Sequence, residues 1–122
     1  MIYTPELNEI YMSLDRRAFF SNRLERVVID VYESVSGLES GGVVSFWDAD
    51  INHNQVIKSF EKLGEKKVVD LLKEAKSHIK GECGSEIIDS IDIRIWGVLD
   101  GISCRLLNFI KKENIVPDMN GS

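Results

Sequence analysis

Residues 85–110 read SEIIDSIDIRIWGVLDGISCRLLNFI, and the period of their apolar side chains decides the fold class. Ile91, Ile93 and Ile95 alternate with Asp92 and Arg94, the signature of a strand with one buried face. Ile87, Ile88, Ile91, Ile95, Leu99, Ile102, Leu106, Phe109 and Ile110 instead recur at intervals of three and four, which line one face of a helix. The helical period continues across residues 87–110, whereas the alternation covers only 91–96. The longer pattern predicts a helix broken near Gly97 or Gly101, with a strand over 91–96 as the alternative.

The same period recurs on the N-terminal side. Thr4 is a helix cap and Pro5 stands at the first helical position, where its missing N–H costs nothing. Leu7, Ile10, Tyr11 and Leu14 then mark a first helical face. A second stripe runs through Leu24, Val27, Val28, Val31, Tyr32 and Val35, capped by Ser21 or beginning earlier, near Asp15, and stopped by Gly37. Residues 37–55 read as irregular, with a turn at Glu39-Ser40-Gly41-Gly42 and a short apolar run, Val43–Trp47. Val56, Ile57, Phe60 and Leu63 form a third stripe ending at Gly64. Val68, Leu71, Leu72, Ala75 and Ile79 form a fourth ending at Gly81, so the two make a tight helical hairpin. The sum is an all-α, single-domain bundle of five to six helices over 1–118, with 119–122 as a tail.

At 122 residues the chain is long enough to bury a core without disulfides or a structural metal. Its 43% hydrophobic and 29% charged composition argues against disorder. It has no apolar run long enough to span a membrane. Met1–Glu6 lacks the basic and apolar regions of a signal peptide, and Cys83 and Cys104 form no C-x-x-C pair. The expectation is a cytoplasmic protein with reduced thiols.

Motifs that carry chemistry are few. Asp48-Ala-Asp50-Ile-Asn52-His-Asn54 resembles the start of a calcium loop, but His53 occupies the sharp-turn glycine position and Ser59 the bidentate glutamate position. The segment reads as a helix N-cap cluster instead. His53 and His78 lack zinc spacing, and a His78–Cys83 nucleophile pair competes with a histidine favoured by a helix C-terminus. Gly37–Gly42 has no lysine for a phosphate loop. Acid pairs such as Glu82/Glu86 and Asp89/Asp92 read as solvated surface. The expectation is no enzyme, no cofactor and no metal.

Charge is the more informative signal. The net charge is −5, and no Lys or Arg occurs between Val27 and Ile57, where Asp30, Glu33, Glu39, Asp48 and Asp50 fall. Glu86, Asp89 and Asp92 form a second acidic stretch. Such stretches steer a basic partner, although a charge of this size also serves plain solubility. Direct nucleic-acid binding is disfavoured, because the lysines of residues 58–80 alternate with acids as on a solvated helix face. Phe46 reads as core, and Trp47 as either core or an interface aromatic.

Ser40-Gly41-Gly42-Val43-Val44-Ser45-Phe46-Trp47 resembles the Asn-Gly-Gly-Phe-x-Gln-aromatic motif of a small bacterial family similar to the DNA-mimic proteins. Gly41, Gly42 and Phe46 match that motif, while Ser40, Val43 and Ser45 depart from it. Gly64, Leu71, Leu72 and Ala75 match a later Gly and Leu-Leu-x-x-Ala helix, so the resemblance covers roughly residues 25–80. It implies an all-helical fold and a regulator that sequesters a DNA-binding transcription factor. A duplex-like face about 30 Å long needs on the order of 15 unpaired acids. The chain has 20 acids against 15 bases, which argues against mimicry of a whole duplex.

The leading expectation is therefore a stoichiometric protein-binding inhibitor. It is similar to bacterial immunity proteins that cover a cognate basic, nuclease-type toxin. Its partner-binding residues are expected to be Asp30, Glu33, Glu39, Trp47, Asp48, Asp50, Glu86, Asp89 and Asp92.

Overall fold

In a computed structural model, residues 4–16, 21–79 and 85–115 are described, and they form six helices with no strand among them. The helices are α1 (Pro5–Asp15), α2 (Arg23–Asp48), α3 (His53–Leu63), α4 (Lys66–Ile79), α5 (Ser85–Leu99) and α6 (Ile102–Lys112). The all-α class follows, and residues 91–96 are helical. None of these helices is long and apolar enough to cross a membrane.

α2 is the central element, and its sequence explains why. From Val27 to Tyr32 every residue is buried, so this stretch has no solvent face. A helix stretch with no solvent face must be covered on all sides. α1, α3, α4 and α5 pack around it. Val28, Leu38, Phe60, Leu72, Ile91, Ile95 and Leu106 meet in one continuous core with almost no solvent exposure.

The ends of the helices follow local chemistry. Thr4 Oγ1 accepts from the Leu7 N–H, capping α1 ahead of Pro5. α2 is capped by Asn22, one residue later than expected. Its side chain accepts from Glu25 N at 2.8 Å, and Glu25 returns a bond to Asn22 N at 3.0 Å. This reciprocal pair satisfies two orphan donors, whereas the residue three past Ser21 is Leu24, whose side chain cannot return such a bond. Gly64 takes a left-handed φ of 89° and ends α3 as expected, leaving only Glu65 before α4. Gly101, at φ 77°, separates α5 from α6, while Gly97 lies inside α5. The expected stop at Gly81 and the expected tail lie outside the described residues.

Two expectations about residues 37–55 are corrected. Gly37 does not stop α2, and the irregular part shrinks to a single break inside the expected 39–42 turn and the 49–52 connection. Leu38 and Val43 continue the buried stripe beyond Gly37, so packing carries the helix through. The interruption comes at Gly42, whose φ of 74° and ψ of −170° kink α2. That backbone region is essentially restricted to glycine. Two side chains of α5, one turn apart, bind the kink. Asp92 Oδ1 accepts from Val43 N at 2.8 Å, and Trp96 Nε1 donates to Leu38 O at 3.0 Å. Asp92 thus caps the second half of α2 from another helix.

A second clasp closes the far end of the bundle. Arg105 donates to Glu65 Oε1 at 2.8 Å and to the carbonyls of Val98 and Asp100 at the end of α5. One guanidinium therefore satisfies helix-end carbonyls and a largely buried carboxylate together.

Candidate functional site

The nine acidic and aromatic residues singled out from the sequence fall into three places. Asp30, Glu33 and Asp50 line one cleft of about 380 Å³, with Arg26, Phe46 and Ile51, between α2 and the 49–52 connection. Within it the three acids differ. Glu33 and Asp50 are exposed, but Asp30 is 3% exposed.

Asp30 belongs to the α2–α3 junction. Ser59 Oγ donates to its Oδ2 at 2.8 Å and Gln55 Nε2 at 3.2 Å. Arg26 Nε lies 3.0 Å from Oδ1, close enough for an ion pair but out of line for a hydrogen bond. The carboxylate is fully engaged inside the fold. It joins two helices rather than facing a partner.

Glu33 accepts from the Tyr11 hydroxyl at 3.1 Å. Tyr11 stacks on Tyr32 with ring centroids 4.1 Å apart, and the Tyr32 hydroxyl donates to Asn8, which fastens α1 to α2. Burial, and after it the negative charge of Glu33, raises the Tyr11 hydroxyl above the ordinary tyrosine range. A raised phenol favours the neutral form in the folded chain. Its contribution to stability is complete below the unfolded value, about pH 10, and is lost as pH rises toward the folded value. The melting temperature is expected to fall above about pH 10. Tyr11→Phe should flatten that alkaline fall, as read by circular-dichroism melts across the pH series.

Trp47 is half-buried at the junction of α2, α3 and α4. Its Nε1 donates to Leu72 O at 2.8 Å, His53 stacks on its ring at 4.9 Å, and Lys76 Nζ stands 5.0 Å over it. His53 Nε2 lies 2.8 Å from Phe46 O, so that nitrogen carries the proton. Of the two readings open for Trp47, these contacts fit a bolt between helices. Asp48 and Asp50 are exposed beside it, while Asn52 caps α3 by accepting from Gln55 N. No cluster of three His, Cys, Asp or Glu able to hold a metal occurs among the described residues. The His78–Cys83 pairing lies outside the described residues.

The third place is the outer face of α5. Glu86 and Asp89 are exposed there, whereas Asp92, on the inner flank, is half-buried and committed to Val43 N. Glu39 of α2 lies beside Trp96 and Asp100 at the C-terminal end of this face. What sequence reasoning missed is its apolar centre. Ile93 is 68% exposed and Trp96 46% exposed. The signal was present in the helical period. Ile88, Ile91, Ile95 and Leu99 point inward, which places Ile93 on the opposite side of the same helix. Glu86, Asp89, Ser90, Ile93 and Gly97 form one outward stripe without a Lys or Arg. The one base of α5, Arg94, leaves the stripe and pairs with Glu74 of α4.

No family model, curated protein or solved structure matches the chain.

Proposed function

We propose that this chain is a stoichiometric protein-binding inhibitor, a bacterial immunity protein that neutralises a basic, nuclease-type toxin in the cytoplasm. The observation that carries this reading is the outer stripe of α5. A bare isoleucine sits in it among acids with no base in the row, and the half-exposed Trp96 flanks it. Single exposed apolar side chains are ordinary, but two large ones three residues apart on one helix make a patch of the kind that interfaces use. Interface centres are apolar and aromatic, with charged residues at the rim. Here the rim is Glu86, Asp89 and Asp100, which suits a lysine- and arginine-rich partner. In this reading Ile93 and Trp96 anchor, the acids steer and pair, and no covalent chemistry is involved. Glu33, Asp48 and Asp50 extend the negative field on the cleft side of α2.

A regulator that mimics DNA is the second reading. It rests on the resemblance of residues 40–47 and on the exposed acids Glu33, Asp48 and Asp50, which would stand in for phosphates. Affinity capture from the native host lysate, at low and high salt and read by mass spectrometry, separates the two. An immunity protein should retain one basic nuclease-like partner at high salt, because the apolar centre persists when charges are screened. A mimic should release a DNA-binding regulator on addition of salt or competing duplex. Retention of no specific protein contradicts both.

A further inference from the structure

A second cleft, of about 630 Å³, runs along the α2–α3 seam and is lined by cations, opposite in sign to the net charge of the chain. Arg23 and Arg26 enter it from α2, and Lys58 and Lys62 from α3. No Asp or Glu lines it. Arg23, Lys58 and Lys62 are exposed and form no ion pair with any described residue, and only Arg26 reaches a carboxylate, that of Asp30. Lys58 and Lys62 are four residues apart on one helix, and like charges at that spacing repel. In a chain with net charge −5, three cations without an acid partner, beside a fourth paired only with Asp30, are an arrangement that a bound anion would relieve.

Apart from Val27 the remaining lining is polar, with Ser59 and Gln55 donating to Asp30. Asn22 and Asn52 use their side-chain oxygens as helix caps, which leaves their amide N–H groups outside those caps. Guanidinium groups match phosphate oxygens two at a time, and ammonium groups act as compact charges beside them. The volume lies within the usual range of small-ligand sites. A long nucleic acid fits poorly, because the chain as a whole carries net negative charge and repels a polyelectrolyte.

We propose that the α2–α3 cleft binds the oligophosphate chain of a small anion, held by Arg23, Arg26, Lys58 and Lys62. This site is separate from the outer face of α5 and does not depend on the protein-binding reading. Titration calorimetry of the full chain with inorganic triphosphate, and in parallel with ATP, tests it at low salt. The expected result is saturable one-to-one binding that weakens by about tenfold or more in Lys58→Gln/Lys62→Gln. A matched control, Lys111→Gln/Lys112→Gln on the exposed face of α6, should bind like the parent. Equal affinity for the two ligands identifies the phosphate chain alone as the ligand. Tighter binding of ATP identifies a nucleoside polyphosphate, and both results support the site. Absence of saturation by either ligand up to about 10 mM overturns the proposal. So does an equal loss in both lysine pairs, which would mark diffuse attraction.

Discussion

Gly42→Ala is expected to destabilise the chain by about 3–5 kcal/mol, a large part of the total stability of a domain this size. Two costs combine. The backbone at φ 74°, ψ −170° is one an alanine adopts only under strain. The added Cβ would also stand 2.7 Å from Asp92 Oδ2. That carboxylate can swing aside, but the Val43 N–H then loses its acceptor inside the bundle. Urea denaturation should show a lower midpoint with the slope preserved. Asp92→Ala alone should cost about 1–3 kcal/mol. The double variant should cost less than the sum of the two, because the first change already breaks the bond the second removes. Strict additivity would contradict the capping role given to Asp92.

Asp30→Ala should be nearly as damaging, at about 3–4 kcal/mol. The substitution strips an acceptor from Ser59 and Gln55 and a counter-charge from Arg26, all at the α2–α3 junction. Asp30→Asn keeps an oxygen for Ser59 and should cost roughly half as much. Urea melts of the three chains give the ranking. If Asp30→Ala melted like the parent, the junction would not depend on this carboxylate.

These two residues show where sequence reading stops. The helical class was legible because the 3.6-residue period of 87–110 outlasts the alternation of 91–96, and because Thr4-Pro5 and Gly64 act through their own backbone. The sequence marked both Gly37 and the 39–42 turn as interruptions. Which of them breaks α2 was not legible, because the choice depends on Asp92, 49 residues from Val43. The burial of Asp30 was hidden for a similar reason. Linear charge counting treats every acid as exposed, whereas Ser59 and Gln55 arrive from another helix. Glu86 and Asp89 lie on the surface as the charge argument expected, and Ile93 between them was implied by the period but went unread.

The claim that the outer face of α5 is a protein interface is tested most directly by two substitutions on that face. The parent chain and Asp89→Lys/Ile93→Glu would each be titrated calorimetrically into the partner captured from the host. Both positions are exposed, so melts of the variant should match the parent within about 0.5 kcal/mol. The account predicts one-to-one binding by the parent and a loss of about a hundredfold or more in the variant, the size expected when a central apolar anchor and a steering charge are removed together. Unchanged affinity in a variant that folds normally would contradict it and move the interface away from α5.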